Sequence, residues 1–477
     1  MPQTNNHQYK ISLIIFLAAM AIRILFLYLN YGPIAKIPSS AIAAPDGYLT
    51  VAESLLAGQG FSQHSASIPF TFTPQAERLP LYPLFIASLV YVFKNYQSVL
   101  IAQIILASVI PILGWQISQY FTKHPGVNWA VAIALILEPL SVYFSAILIA
   151  EILFTLLFLA ALLYFLRYLK NLGYHDIILS GIYLGLATLT RPTVQYLPIL
   201  FSLFILWQFK NEFSKKIARQ LTLFIGIFFL ILSPWLYRNY IVFNTSKLSI
   251  QPIRNLYMHL VPSAIALERN MSFAEAQKQW LDREEKLGRG LELVYATKNQ
   301  SVLLEPSWQE LKKNPIGLIK SFGITTATFF THDGYLDILR ALGYQKNFDA
   351  KISAVALLFN APLELIKDIR QLITGPGMVI IIGRITWIFI SILFVIGFLK
   401  YLKNEREKNA GAKIILLTIA YFLATSAIVG LGINARIRSP INPLIFIFAF
   451  YGLQKIIGYF KNSRNLLNAK NSDLSVE

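Results

Sequence analysis

Long apolar runs separated by short polar stretches fill most of the chain: 11–29, 81–93, 99–121, 127–140, 151–169, 177–189, 194–209, 221–236, 378–399, 414–433 and 441–459. A helix needs roughly 17–25 mostly apolar residues to cross a bilayer. The run 81–93 has only about 13 and opens on Leu81-Tyr82-Pro83, so it predicts a juxtamembrane or re-entrant helix. With that run set aside, Lys123, Arg167, Lys170, the stretch 210–219, the stretch 400–413 and the tail with Lys461 and Arg464 all fall on the side of the N-terminus. That is the positive-inside distribution. The predicted fold class is an all-α polytopic membrane protein of about ten transmembrane helices with both termini cytoplasmic. The run 11–29 is too long for a signal-peptide core and carries Arg23, so it is expected to remain as an anchor.

Composition agrees with that class. Hydrophobic residues make up 55% of the chain, charged residues 14%, and the mean hydropathy is +0.54, which rules out a soluble globular reading. A formal charge of +18 raises the question of nucleic acid. The basic residues sit at the ends of apolar runs, however, so the charge is read as topology and no nucleic-acid partner is expected. Cysteine is absent, which excludes disulfides, thiolate chemistry and cysteine metal sites. The chain has no Gly-rich loop with the lysine and hydroxyl of a nucleotide-binding site, and no histidine pair at metal-binding helical spacing. His64 and His259 read as outer surface residues.

The topology divides the chain into a membrane module 1–237 with a first outer loop 30–98, an extracytoplasmic insert 238–377, C-terminal transmembrane helices 378–460 and a cytoplasmic tail 461–477. Shorter outer elements are 139–150, the turn at Arg191-Pro192 and the turn 434–440. The insert reads as small and mostly helical. Ser272 followed by Glu275 has capping-box spacing for a helix over 273–298, a second helix is expected at 307–313, and a third over 351–372 has the pattern of a helix lying on the membrane interface. No internal repeat is evident, which weighs against transporter folds built from duplicated halves.

Candidate chemistry lies in charged residues at these outer membrane borders, where charge is costly and seldom retained without a use. Asp46, in Pro45-Asp46-Gly47-Tyr48, is either a turn or cap residue or a reactive acid. Tyr48 opens an amphipathic helix ended by Gly58, which makes the first loop a structured one. Glu77 and Arg78 are either a surface ion pair or, through Arg78, a ligand for a lipid phosphate at the same depth. Glu151 opens an apolar helix, and Glu138, before Pro139, is a second acid for the same cavity. An acid at that depth needs a partner, and Arg191, Arg238, Arg436 and Arg438, all at outer helix ends, are the available ones.

Taken together, Pro45-Asp46-x-Tyr48, Gly58-x-Gly60-Phe61-Ser62, Arg78-x-Pro80-x-Tyr82-Pro83, Glu151, the run from Gly185 to Pro192, Pro234-Trp235-x2-Arg238-Asn239 and Arg436-x-Arg438-x-Pro440-x2-Pro443 resemble a known family. It is the polyprenol-phosphate-dependent GT-C glycosyltransferases of glycosyltransferase family 39, which includes protein O-mannosyltransferases and aminoarabinose transferases. The resemblance implies a bacterial plasma-membrane enzyme with its active site on the extracytoplasmic face. The donor would be a polyprenyl-phosphate-linked sugar taken from the bilayer, and the acceptor a glycolipid, a protein or a polysaccharide. Asp46 would be the general base of an inverting transfer, with Arg78, Arg191, Arg238, Arg436 and Arg438 on the donor phosphate. Glu151 would match the second-loop acid, with Tyr48, Glu77, Tyr82 and Glu138 lining the substrate site. The chain departs from the family in having a lone Glu151 where an Asp-containing cluster is usual, and Arg78 where the aminoarabinose branch has lysine. No cofactor is implied with certainty. A divalent cation would have to draw on Asp46, Glu77 and Glu151. The competing reading is a polytopic transporter or lipid flippase, in which buried arginines and acids line a substrate path.

Overall fold

A computed structural model describes residues 2–38, 42, 44–64, 72–290, 294, 300–343, 377–403, 409–431 and 434–473. The membrane module contains α1 (Pro2–Tyr31), α2 (Tyr48–Leu56), α3 (Leu81–Phe93), α4 (Gln97–Phe121), α5 (Pro125–Leu137), α6 (Pro139–Phe144), α7 (Glu151–Asn171), α8 (Tyr174–Thr190), α9 (Leu197–Gln208) and α10 (Lys215–Phe243). The insert adds α11 (Gln251–Asn255), α12 (Val261–Arg269), α13 (Phe273–Lys286), α14 (Leu304–Lys313), α15 (Pro315–Thr331) and α16 (Tyr335–Ala341). The chain then returns through α17 (Met378–Lys403), α18 (Ala410–Ala427), α19 (Asn434–Arg438) and α20 (Asn442–Asp473). Among the described residues the strands are β1 (Ser62–His64) and β2 (Phe72–Pro74), an antiparallel pair in the first loop with Gln63 opposite Thr73.

Each of the ten expected spans carries a helix, though the one expected over 414–433 ends at Ala427. Among the described residues seven segments, α1, α4, α7, α10, α17, α18 and the stretch from α19 into α20, are long and apolar enough to cross a membrane. The other three, α5, α8 and α9, have 13, 17 and 12 residues. The run at 81–93 forms a helix of 13 residues, packed on α2, α4 and α8.

The central element is α7, flanked by α4 and α8. Nearly all of its side chains between Glu151 and Leu166 are buried. A helix enclosed on every side has no polar face to keep, which is why its sequence is apolar all round. At the crossing of α17 and α20, a Cβ on Gly397 would lie 2.0 Å from the Phe448 carbonyl oxygen, and one on Gly452 would lie 2.3 Å from that of Leu393. Small residues at such crossings let the backbones approach where lipid offers no hydrophobic drive for association.

The described part of the insert is mostly helical and packs on the C-terminal helices. Its helix α15, unread in the sequence, packs on α17, α18 and α19 as well as on α12. Gly317 permits the last contact, since a Cβ there would fall 2.0 Å from the Ala264 carbonyl oxygen. The capping pair forms, with Ser272 Oγ accepting from the Glu275 amide at 3.2 Å, but α13 stops at Lys286, earlier than the expected 298. A short helix does occupy 304–313. The helix expected over 351–372 lies outside the described residues. At the other boundary α10 continues past 237 to Phe243.

Candidate active site

Four separate pieces of chain bring charge together at one end of the bundle. The turn before α2 carries Asp46. Gly47 caps that helix in the left-handed region, φ +70°, a conformation that costs any residue with a Cβ. The Asp46 carboxylate makes no capping bond to α2. It accepts from both terminal nitrogens of Arg436 instead, Nη1 at 3.1 Å to Oδ1 and Nη2 in a short contact to Oδ2. The turn-and-cap reading of Asp46 therefore describes its backbone, and its charge is engaged elsewhere.

Glu151, the first residue of α7, is 1% exposed, and its Oε1 accepts from Arg436 Nε and, at 2.5 Å, from Arg191 Nη1. Arg191 caps the C-terminus of α8 just before Pro192, and Arg436 lies in α19. One guanidinium thus bridges two carboxylates, with Asp46 15% and Arg436 22% exposed. The second Glu151 oxygen, Oε2, is buried without a partner. Burial pushes the Asp46 carboxyl up, but the hydrogen bonds and charge of Arg436, with the fields of Arg78 and Arg191, outweigh it and hold Asp46 below the ordinary carboxylate value.

Arg78 stands beside this group. Its backbone amide is tied to Gln75 Oε1 at 3.1 Å, and its guanidinium lies over the Tyr48 ring, 5.2 Å from the centroid. Tyr48 meets Tyr82 edge to face at 5.1 Å, and the Tyr82 hydroxyl donates to Gln103 Oε1. Glu77 pairs with Arg78 at 3.3 Å and, in a shorter contact, with Arg254 of the insert. Ser249 Oγ donates to the Glu77 carbonyl at 2.8 Å, so the start of the insert is fastened to the strip carrying Arg78.

Three of the expected site residues are placed otherwise. Arg238 donates to the carbonyl oxygens of Gln75 and Phe61, both at 2.8 Å, and packs on the rings of Trp235, Phe61 and Phe243. Arg438 is wholly buried and donates to the carbonyls of Phe329 (2.6 Å) and His332 (2.7 Å) and to Asn442 Oδ1 (3.1 Å), with its guanidinium 3.4 Å from the Trp387 centroid. Both fill main-chain acceptors that the loops leave open, and neither turns toward Asp46. Glu138 caps α6, accepting from the Leu140 and Ser141 amides at 3.4 and 2.6 Å, in the fields of Arg438 and Arg23. It belongs to a deeper group.

Sequence reading missed Arg254, Gln103 and the role of Arg23. Arg23 is buried in α1, donating to Ala19 O at 3.0 Å and Ser141 Oγ at 2.9 Å. Its charge within an apolar run was the available signal. Arg254 lies among the mixed charges of the insert, and Gln103 was hidden in an apolar run.

The carboxylates do not fit a divalent cation. Asp46 and Glu151 both face the guanidinium of Arg436, and Glu77 faces two arginines. Among the described residues no three His, Cys, Asp or Glu side chains gather as metal ligands.

Residues 75–237, from the Arg78 strip to α10, match the family of dolichyl-phosphate-mannose-protein mannosyltransferases. The archaeal oligosaccharyltransferase AglB from Archaeoglobus fulgidus, in complex with an inhibitory peptide and a dolichol-phosphate, superposes with a TM-score of 0.54 at 12% identity, over 98% of this chain and 52% of that one. The apo form of the Archaeoglobus fulgidus enzyme gives 0.52 at 14% identity, over 96% and 52%. ArnT from Cupriavidus metallidurans bound to undecaprenyl phosphate gives 0.37 at 12% identity, over 92% and 77%. The chain spans about half the length of the oligosaccharyltransferase, and at such identities the likeness is one of fold. No curated protein matches in sequence. Family match and fold both agree with the GT-C glycosyltransferase resemblance drawn from the sequence, on a multi-pass membrane protein.

Proposed function

We propose that this GT-C membrane protein transfers a sugar from a polyprenyl-phosphate donor to an acceptor hydroxyl on the extracytoplasmic face of a bacterial plasma membrane. The observation that carries the reading is the bridge of Arg436 between Asp46 and Glu151, with Arg191 and Arg78 alongside. Arg78, Arg191, Arg254 and Arg436 against Asp46, Glu77 and Glu151 leave four guanidinium groups to three carboxylates, a positive site at the end of an apolar bundle, which suits a lipid phosphate. The dolichol-phosphate held by AglB supports that class of lipid.

In the reaction the acceptor oxygen bonds to the anomeric carbon while the bond from that carbon to the phosphate oxygen breaks, with inversion. The electron pair leaves on the phosphate, where Arg78 and Arg191 meet the growing charge. The acceptor proton passes to Asp46. Below its ordinary pKa, Asp46 is a weak base in the resting state. It strengthens when the donor phosphate draws Arg436 away, and the hydroxyl becomes acidic as its new bond forms. Glu151 holds Arg191 and Arg436 in place between turnovers. Arg238 and Arg438 act as struts for the first loop and for α19, and no step passes through a metal.

The test is release of free polyprenyl phosphate from a panel of polyprenyl-phosphate sugars by purified protein in lipid, with a membrane extract supplying acceptors. Wild type should turn over one donor, and Asp46→Asn should bind it without turnover. Movement of lipid or sugar across the bilayer without any glycosyl product would replace this reading with a transporter.

A further inference from the structure

Gln103 lies in the second turn of α4, fully buried, outside the group of acids and arginines. Its Nε2 donates to the Ile147 carbonyl at 2.7 Å, and its Oε1 accepts from the Tyr82 hydroxyl. A carboxamide buried in a membrane-length helix is costly unless both ends are paired. Here both are paired, and to two different outer segments. Ile147 belongs to the turn that leads into Glu151. Tyr82 belongs to α3, and through its edge contact with Tyr48 it supports the ring on which Arg78 lies.

We infer that Gln103 is a positioning residue that sets the separation between Arg78 and the Glu151–Arg191 pair, and with it the fit of a lipid phosphate between them. The inference rests on the polyprenyl-phosphate reading above. Its partners fix the sense of the amide. The Ile147 carbonyl only accepts, so the nitrogen must face it, and the phenol then donates to the oxygen. Leucine keeps the bulk and loses both bonds. Glutamate would set a carboxylate against a carbonyl.

The experiment measures undecaprenyl phosphate binding to the full chain in nanodiscs for wild type, Gln103→Leu, Tyr82→Phe, Arg78→Gln and the Gln103→Leu/Arg78→Gln double variant, with thermal unfolding followed in parallel. Gln103→Leu and Tyr82→Phe should each weaken binding on the order of tenfold, the effect of one or two lost buried hydrogen bonds. Gln103→Leu should cost much less once Arg78 is gone, because one end of the separation it sets is then missing. Equal loss of affinity in both Arg78 backgrounds would mean a merely structural role and would overturn the inference. If Gln103→Leu does not fold, Tyr82→Phe with and without Arg78→Gln decides by the same criterion. A wild type that binds undecaprenyl phosphate while Gln103→Leu binds equally well overturns this inference alone. A wild type that binds none overturns the functional reading and this inference with it.

Discussion

Arg436→Gln removes the guanidinium that Asp46 and Glu151 share. Breaking a buried ion pair from one side costs about 3–5 kcal/mol, because the remaining charge is left without its partner. Glu151 keeps Arg191, and Asp46 keeps some water and the fields of Arg78 and Arg191, so the loss should lie near the lower end, about 3 kcal/mol. The loss should also depend on pH. In the native protein the Asp46 carboxyl is held down, so its contribution is complete above its unfolded pKa of about 4 and fades as pH falls through the lower native value. Without Arg436, burial dominates and carries that carboxyl above its ordinary value. Its ionised form then destabilises, and the variant recovers stability as pH falls through the raised pKa. Reversible SDS unfolding of wild type, Arg436→Gln, Asp46→Asn and the double variant at pH 7.5 and 5 measures both effects. Destabilisation by Arg436→Gln should be larger at pH 7.5, and the cycle should give a coupling of about 1–3 kcal/mol. Additivity within about 0.5 kcal/mol at pH 7.5 would refute the bridge.

Further outcomes follow from individual contacts. Gly47→Ala forces a Cβ into the left-handed region at the turn carrying Asp46; it should cost about 1–2 kcal/mol in an unfolding titration and lower donor turnover more than donor binding. Gly397→Ala meets the Phe448 backbone and should lower thermal stability strongly, by at least about 2 kcal/mol, whereas Gly458→Ala, with open space around it, should change little. Arg254→Gln removes a partner of Glu77 and should weaken binding of polyprenyl phosphate in a titration with purified protein, without changing the acid limb of the rate profile, since Asp46 lies in a separate ion-pair group.

The membrane bundle was legible because a lipid solvent requires long apolar helices, and each expected span carries a helix. Asp46 and Glu151 were legible for the same reason, since an acid at that depth needs a cation and the outer arginines were the candidates. Which arginines would answer was not legible. Arg191, Arg238, Arg436 and Arg438 share one signature, an arginine at an outer helix end. Their fates depend on which carbonyls the folded loops leave open: those of Phe61 and Gln75 take Arg238, and those of Phe329 and His332 take Arg438. Helix α15 was missed because Lys320 and a run of threonines broke its apolar pattern, although it packs on three elements of the C-terminal bundle.

The order in which a ribosome delivers these parts gives the bridge of Arg436 a further consequence. Glu151 can meet Arg191 as soon as α8 is inserted, but Arg436 follows 245 positions later, about 10–50 s at ordinary elongation rates. During that interval Asp46 has the fields of Arg78 and Arg191 but not the hydrogen-bonded ion pair that Arg436 supplies. The two acids of the site are thus made early and the guanidinium that joins them late, so the site closes only when α19 packs back on the first half of the bundle.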